Sequence, residues 1–320
     1  MTQEKPDQRR RPAKPLSASG ALAGRLLEGG LNRGDLRHAE ANGTAIRPAW
    51  GIYVAAESVR DPQRQERAVL QALTADGRRI VSHESAASLW GFSDRPLKRP
   101  FHLTSLAGAP QIQRPGLVIS HRGSVPDEFL RWWNRIRVVS PAWAWLDVAL
   151  RSSEEDALVL ADQVLSVRIR RPGLPSPLAG RHELEEALRV RGRANGIRAA
   201  RSAVDLASDA VDSRPETRLR YAMHRAGLPV PEVNPLVCDE RGARCFRPDL
   251  ALREWRLAIQ YEGAAVHSTP ERVLQDVHRQ ETAELLGWTE VRITKDHMRN
   301  GGAPAVQKIL GKLCERGYLG

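Results

Sequence analysis

The chain has 320 residues, a formal net charge of +11 and a sequence pI of about 10.3. Its mean hydropathy of −0.44, and the lack of any apolar run near the ~20 residues that span a bilayer, argue against a membrane protein. The first residues carry charges and prolines without an apolar segment, which argues against a secretory signal. We therefore expect a cytoplasmic protein with a disordered basic tail at residues 1–19.

The basic surplus lies in the N-terminal two thirds of the chain. Residues 1–200 hold 31 Lys and Arg against 21 Asp and Glu, whereas residues 201–320 hold 18 against 17. A basic surface attracts nucleic acid, because binding releases the counterions of the phosphates. The alternative is an arginine-rich composition that only keeps the chain in solution.

The three cysteines are Cys238, Cys245 and Cys314. An odd number without C-x-x-C spacing indicates neither a disulfide framework nor a zinc site. We therefore expect Cys238 and Cys245 to pack as small apolar residues.

Residues 20–58 predict a helix, a turn, a second helix and a β-hairpin. The stretch "GALAGRLLEGG" has apolar residues at helical spacing and ends at a glycine pair. The stretch "LNRGDLRHAEANG" follows as a helix capped by Asn32 or Asp35. The stretch "TAIRPAWGIYVAA" predicts a short β-ribbon whose turn is marked by Pro48 and Gly51.

This order of elements is typical of a winged helix-turn-helix domain. Four side chains would then face phosphates or base edges of DNA: Arg33, Arg37 and His38 on the second helix, and Arg47 at the wing. The alternative is a small helical cap whose arginines are simply solvated.

Residues 59–207 predict an α+β middle domain without a catalytic constellation. "RQERAVLQALTADG" predicts an amphipathic helix, and "RIVSHESAASLWGF" a strand followed by a helix that a Ser and His83 cap. "PFHLTS", "LVISHRG" and "IRVVSP" predict strands, and the stretches 141–165 and 182–208 predict helices. Four tryptophans fit core packing in apolar helices better than base stacking: Trp132, Trp133, Trp143 and Trp145.

Residues 211–320 predict the order α-β-β-β-α-β, closed by a further helix. "SRPETRLRYAMHRAGL" is a helix with Ser213 as N-cap and Glu216 at the capping-box position. Residues 231–263 predict three strands with turns at 240–242 and near Glu254. A long helix, the strand "TEVRIT" and the closing helix follow.

Acidic residues stand on the second and third of these strands. Asp249 lies on the second, and Gln260 and Glu262 lie two residues apart on one face of the third. The turn between these strands brings the three side chains together if the register permits. Hydrolysis of a phosphodiester uses Mg²⁺ or Mn²⁺ held by such oxygens. We therefore predict Asp249, Glu262 and the neutral Gln260 as metal ligands, with His267 and Glu216 assisting catalysis.

Three stretches of this segment carry its polar and aromatic residues in a fixed order: "RPDLAL" with Asp249, "LAIQYEGAAVH" with Gln260, Glu262 and His267, and "DVHRQETAELLGWTEVRIT" with Asp276, Arg279 and Trp288. The segment resembles the PD-(D/E)XK nuclease superfamily, in the group related to very-short-patch repair endonucleases. The resemblance implies a restriction-endonuclease-like core. Arg279 would be a DNA contact, or one half of an intrahelical ion pair with Asp276.

A second and weaker resemblance covers the first two thirds of the chain. "RPAWGIYVA" and "VSHESAASLWGF" look like chains that begin with a winged-helix domain of the abortive-infection antitoxin type, AbiEi. This resemblance implies a DNA-binding N-terminal domain and a toxin partner.

The nuclease-like segment departs from its family at two positions. Gln260 stands where the group has an acid, and Glu262 stands where the superfamily has Lys and this group has Asp. A Gln offers a carbonyl oxygen but no charge, which weakens Mg²⁺ binding without forbidding it. The alternative for Asp249 and Glu262 is a structural role in ion pairs with nearby arginines.

These features predict an α/β multidomain protein with two candidate functions. The first is a metal-dependent DNA endonuclease, in which the winged helix finds double-stranded DNA and the C-terminal domain cuts it with Mg²⁺ or Mn²⁺. The alternative is a non-catalytic DNA-binding regulator of antitoxin type with an inactive nuclease fold. A homodimer is a further expected assembly.

Overall fold

In a computed structural model the chain is a mixed α/β protein with several separate β-sheets. The structure describes residues 20–58, 61–243, 245–263 and 270–320, without the side chains of 58 and 270–276. The predicted tail at residues 1–19 lies outside these ranges. No helix in the described ranges is long and apolar enough to cross a membrane. The chain divides into two compact units, Met1–Ser140 and Pro141–Gly320, which are described separately.

The first unit begins with the predicted helix, helix and hairpin. The elements are β1 (Ala21–Leu22), α1 (Ala23–Glu28), α2 (Arg33–Ala41), β2 (Ala45–Ala49) and β3 (Ile52–Ala55). The three strands form an antiparallel sheet in the order β1-β3-β2. The prediction lacked β1, because a two-residue strand is too short to show an alternating pattern.

Local capping explains why α2 begins at Arg33. The Asn32 side chain accepts a hydrogen bond from the Asp35 N–H at 2.9 Å, and the Asp35 carboxylate accepts one from the Asn32 N–H at 2.8 Å. This reciprocal pair is a capping box, so both predicted capping residues take part. Leu36 is buried on the inner face of α2, whereas Arg33 and Arg37 are exposed.

The rest of the first unit is a five-stranded mixed sheet with two helices. Its elements are α3 (Pro62–Thr74), β4 (Arg79–Val81), α4 (His83–Leu89), β5 (Phe101–Ser105), β6 (Val118–Arg122), β7 (Leu130–Trp133) and β8 (Ile136–Val139). The strand order is β6-β5-β4-β8-β7, with β5/β6 and β4/β8 parallel. The predicted strands and helices of this region are confirmed, and β7 is an additional strand.

Trp132 and Trp133 lie on β7, so their predicted place on a helix is wrong. β7 and β8 form a hairpin in which Trp133 pairs with Ile136 across Asn134 and Arg135. Both turn residues have positive φ, the conformation of a two-residue hairpin turn. The turn has no glycine, which hid the hairpin in the sequence. Trp132 is 55% exposed and is therefore not a core residue.

The second unit starts with four helices: α5 (Pro141–Ala149), α6 (Glu154–Leu165), α7 (Arg181–Arg191) and α8 (Ile197–Leu206). The helical stretch predicted over 141–165 is divided in two, because the Ser153 side chain caps a new helix by accepting from the Asp156 N–H at 3.1 Å. Trp143 and Trp145 are buried on α5, which confirms their predicted core packing.

The remaining elements are α9 (Arg214–Arg225), β9 (Glu232–Val233), β10 (Val237–Cys238), β11 (Cys245–Phe246), β12 (Leu250–Leu252), β13 (Leu257–Glu262), α10 (Pro270–Leu285), β14 (Thr289–Thr294) and α11 (Arg299–Glu315). Four strands form a sheet in the order β14-β13-β12-β9, with β13 and β14 parallel. The helices and strands follow the predicted order, with small additional strands.

Alternation along β13 determines which side chains face which helix. Leu257 and Ile259 pack with the cluster that α9 and α11 contribute to, whereas Ala258 packs with Ala283 of α10. Side chains two residues apart share a face of a strand. Gln260 and Glu262 therefore lie on the α10 face of the sheet.

Cys238 and Cys245 form a disulfide that joins the β10–β11 hairpin, so the prediction of two packed apolar thiols is wrong. They stand directly opposite each other in the antiparallel register and are both exposed. A seven-residue separation gave no motif, and only the hairpin register brings them together. Cys314 is free and exposed.

The sequence predicted a domain boundary between residues 207 and 211, whereas the contacts divide the chain after Ser140. Helix α9 explains the difference, because Arg220 and Thr217 both bind the Asp162 carboxylate of α6 at 2.7 Å. Asp162 is fully buried, so α6 and α9 belong to one packed unit.

Candidate functional sites

Asp249 directly precedes β12 and faces the end of β13. Its Oδ1 accepts a hydrogen bond from Gln260 Nε2 at 2.8 Å, and its Oδ2 accepts one from the Tyr261 N–H at 2.7 Å. The antiparallel pairing of Leu250 with Ile259 brings these residues together. The structure therefore places Asp249 and Gln260 side by side, as the predicted turn between their strands requires.

The environment of Asp249 raises the pKa of its carboxyl to about 7. Burial is the largest cause, because it disfavours the charged form. The Glu216 charge raises the pKa further, while the Tyr261 N–H, the Arg279 charge and the Gln260 amide lower it. Near neutral pH the group is poised between acid and carboxylate, and a nearby cation would favour the carboxylate.

Gln260 presents a buried carbonyl oxygen to this site. Its Nε2 is bonded to Asp249, but its Oε1 is buried and has no hydrogen-bond partner among the described residues. A buried acceptor without a partner costs about 1–3 kcal/mol. Such an oxygen is available to a cation or a water molecule.

Glu216 is buried at the first turn of α9, with 5% of its surface exposed. Its Oε1 accepts a hydrogen bond from Ser213 Oγ at 2.7 Å, and its Oε2 accepts from Asn234 Nδ2 at 2.9 Å and from the Asp212 N–H at 3.1 Å. These hydrogen bonds are consistent with the predicted capping-box position of Glu216 at the start of the helix. The Asn234 N–H also donates to the Asp249 carbonyl at 2.8 Å, which links Glu216 to the Asp249 strand.

Glu262 pairs with an arginine rather than with Asp249. Its Oε1 lies 3.1 Å from Arg292 Nη1 on the neighbouring strand β14. Arg292 also binds Glu290 at 2.7 Å, and Arg279 Nε lies 3.5 Å from Glu290. Arg279, predicted as a DNA contact, thus takes part in an ion-pair network at this edge of the sheet.

The predicted metal ligands are brought together only in part. Across the described ranges, no group of three or more His, Cys, Asp or Glu side chains is suited to hold a metal ion. Mg²⁺ needs only one or two carboxylates beside water and phosphate oxygens. Asp249 and the unpartnered oxygen of Gln260 supply such oxygens, and the Glu216 charge acts on Asp249, whereas Glu262 is paired with Arg292. His267 lies outside the described residues.

A second candidate site is a groove of about 850 Å³ in the first unit. Its lining combines apolar side chains with five arginines and one glutamate: Leu22, Ala23, Gly24, Arg25, Leu27, Glu28, Arg33, Leu36, Arg37, Arg47, Trp50, Gly51, Tyr53 and Arg114. We call it the arginine groove. The surplus of positive charge makes it suited to a polyanion.

Three of the four predicted DNA-binding residues of this unit line the arginine groove: Arg33, Arg37 and Arg47. The fourth, His38, is exposed on α2 but is not among the lining residues. Arg47 Nε lies 3.5 Å from Glu40, an exposed and therefore weak ion pair. The prediction of DNA contacts at these positions itself remains a prediction.

Sequence reasoning missed Arg25, Trp50 and Arg114 as residues of this groove. Arg114 is far along the chain and carried no local signal. Trp50 did carry one, because a large aromatic residue stood inside the predicted turn that ends at Gly51. Turn positions are usually taken by small or polar residues.

His83 and its neighbours attach α4 to the sheet, so the predicted capping role of His83 is wrong. Ser82 takes the N-cap position, but its side chain makes no capping hydrogen bond. The His83 ring instead stacks on the His121 ring, with 3.7 Å between centroids. Ser85 Oγ accepts a hydrogen bond from the His102 N–H at 2.9 Å.

No protein-family model matches this chain. It is 29% identical over 258 residues to two uncharacterized proteins of Mycobacterium tuberculosis, Rv2248 of strain H37Rv and MT2308 of strain CDC 1551. The match covers 81% of this chain and 88% of each relative. A crystal structure of the Rv2827c protein from Mycobacterium tuberculosis is 17% identical, covering 58% of this chain and 71% of that one with a TM-score of 0.38. That score is too low to indicate a shared fold.

Proposed function

We propose that this chain is a DNA-binding protein whose first unit binds double-stranded DNA through the arginine groove. The observation that carries the proposal is the set of five arginines around one concave surface. Guanidinium groups bind phosphate oxygens through paired hydrogen bonds and stay charged at every physiological pH. The DNA backbone is a polyanion with regularly spaced phosphates, so it can bind several of these guanidinium groups at the same time.

The elements that carry these arginines also favour DNA over a small anion. α2 presents Arg33 and Arg37 on its exposed side, and the β2–β3 hairpin presents Arg47 beside it. A helix that enters the major groove next to a β-ribbon that follows the backbone is the arrangement of winged-helix proteins. The groove therefore suits a long ligand that contacts both elements together.

Salt dependence of duplex binding tests this proposal. We expect the Arg33→Ala/Arg37→Ala double variant to weaken binding on the order of 10-fold and to reduce the slope of log K against log salt by about 2. Arg122→Ala, an exposed arginine of the same unit outside the groove, is the matched control. An equal loss in the control, or a slope that does not change in the double variant, would contradict the groove as the DNA site.

A metal-dependent endonuclease activity at Asp249 is a second candidate function. The observation that favours it is the unpartnered buried oxygen of Gln260 beside a carboxyl of raised pKa. In this proposal Asp249, Gln260 and Glu216 would hold a Mg²⁺ or Mn²⁺ ion, which supplies Lewis acidity toward a phosphodiester when bound. Tyr261 and Asn234 would keep the Asp249 strand in place through their backbone N–H groups.

Calorimetric titration with Mg²⁺ or Mn²⁺, followed by a plasmid-nicking assay, tests this second candidate. We expect one binding site in the wild-type chain that is lost in Asp249→Asn, together with any nicking. Asp296→Asn, an exposed acid of the same unit, is the control and should leave both unchanged. Nicking that persists in Asp249→Asn would rule out this site. If the wild type neither binds the ion nor nicks DNA, the non-catalytic regulator of antitoxin type is the proposal that remains.

A further inference from the structure

Trp50 stands at the tip of the β2–β3 hairpin and is 81% exposed. The same hairpin buries Ile52 and Val54 completely, so its exposed indole is not a consequence of loose packing. Register pairs Ala49 with Ile52, which leaves Trp50 and Gly51 as the two turn residues. Gly51 has φ +70, a conformation that favours glycine and fixes the sharp reversal behind the indole.

Three hydrogen bonds from outside the hairpin hold this tip. Arg114 Nη1 donates to the Trp50 carbonyl at 3.3 Å, and Arg99 Nη1 donates to the Pro48 carbonyl at 2.7 Å. The Ala23 N–H donates to the Gly51 carbonyl at 2.8 Å. The backbone is therefore fixed while the indole faces solvent. A backbone that is already held in place loses little conformational freedom when a ligand covers the side chain that it carries.

The surroundings of Trp50 indicate the chemistry of that ligand. The indole shares the arginine groove with the apolar side chains of Leu22, Leu27 and Leu36 and with the five arginines. Apolar surface suits the flat face of an aromatic ring, and guanidinium groups suit phosphate oxygens. A nucleotide combines both chemistries in one molecule.

We propose that the arginine groove accepts an unstacked base of DNA against Trp50, so that the protein prefers DNA carrying an unpaired nucleotide to an uninterrupted duplex. Inside a duplex both faces of each base are covered by neighbouring bases. The indole stacks at least cost on a base that has left the helix, which is easiest where that base has no partner. This inference rests on the proposed DNA binding and specifies its substrate class.

The test compares two labelled duplexes of equal length, one perfect and one with a single unpaired nucleotide, by fluorescence anisotropy. We expect the full chain to bind the second on the order of 10-fold more tightly, within the range that stacking on one aromatic side chain produces. Trp50→Ala should remove this preference, so that the variant binds the two duplexes with affinities within about twofold of each other. Trp50→Phe should keep most of it, because the stacking surface remains. Trp132→Ala, another exposed tryptophan of this unit outside the groove, is the control.

The outcomes separate this inference from the DNA-binding proposal. Equal binding of the two duplexes by the wild type would overturn the preference and leave DNA binding intact. No binding of either duplex would overturn both. If Trp50→Ala weakens both duplexes equally, Trp50 contacts ordinary duplex and the inference is wrong. It is also wrong if a free mononucleotide competes as strongly as the DNA with the unpaired base.

Discussion

Asp249 has two hydrogen bonds to its carboxyl oxygens and nevertheless a pKa of about 7. Hydrogen bonds from the Tyr261 N–H and the Gln260 amide favour the carboxylate. Burial and the Glu216 charge oppose them and have the larger combined effect. The site is therefore short of positive charge, which is the condition under which a cation binds and stabilises it.

Replacing Asp249 by Asn tests the buried carboxyl through the pH dependence of stability. The pKa is about 7 in the folded chain, against an ordinary value of 3.8. The folded state keeps a proton that the unfolded state releases, so the wild-type chain loses stability as pH rises from about 4 to about 7. The Asp249→Asn variant has no carboxyl at this position and so does not lose this stability. The free energy of unfolding of the variant minus that of the wild type should therefore be larger at about pH 8 than at about pH 5, by roughly 2 to 3 kcal/mol.

Urea unfolding at these two pH values, in metal-free buffer, measures the change. Asp296→Asn, which removes an exposed carboxyl of the same unit, is the matched control. A stability difference for Asp249→Asn that is the same at both pH values would show that the carboxyl titrates normally.

The contacts around Asp249 were predictable from the sequence only where they join strands that follow each other along the chain. Asp249 and Gln260 lie on strands joined by a short turn, so their proximity follows from the sequence. The ion pair between Glu262 and Arg292 was not predictable, because Arg292 lies on a strand thirty residues later that pairs in parallel. Parallel pairing across an intervening helix leaves no local signal of register.

At the level of elements, the β10–β11 hairpin is closed by a disulfide between two exposed cysteines, Cys238 and Cys245. Thiol titration of the unreduced native chain should find one reactive thiol, Cys314, out of three cysteines. Reduction should expose all three and lower the free energy of unfolding by about 2 kcal/mol, because a closed loop limits the unfolded chain. Cys314→Ser should give no reactive thiol before reduction. Three reactive thiols in the unreduced native chain would contradict the disulfide.

Two arginines of α9 contact acids of α6 and differ in burial. Arg220 binds the fully buried Asp162, whereas Arg218 binds Glu155 and Asp156 at the surface. Removing one partner of a buried pair leaves an uncompensated charge and costs about 3–5 kcal/mol, whereas an exposed pair contributes at most about 1 kcal/mol. Arg220→Met should therefore destabilise the chain far more than Arg218→Met. Chemical unfolding measures both, and similar losses would contradict the burial of the Asp162–Arg220 pair.

At the scale of the whole molecule, the division into units was the least predictable feature. The sequence pattern suggested a boundary between residues 207 and 211, between the predicted helix over 182–208 and the predicted helix that Ser213 caps. Nothing local in the sequence shows that Asp162 and Arg220, far apart along the chain, form one buried pair. Element types follow from short-range patterns, whereas unit boundaries depend on contacts between distant segments.

The two units also divide the charge, which yields a prediction about where DNA binds. Residues 1–140 hold 22 Lys and Arg against 13 Asp and Glu, and residues 141–320 hold 27 against 25. Because counterion release depends on basic groups that meet phosphates, we expect a fragment of residues 1–140 to bind duplex DNA with nearly the salt dependence of the full chain. The fragment of residues 141–320 should bind at least about 10-fold more weakly at the same salt. Anisotropy titrations over a salt series measure both, after circular dichroism has shown that each fragment is folded. Duplex binding confined to residues 141–320 would contradict the arginine groove as the DNA site and would favour the Asp249 region as the DNA contact.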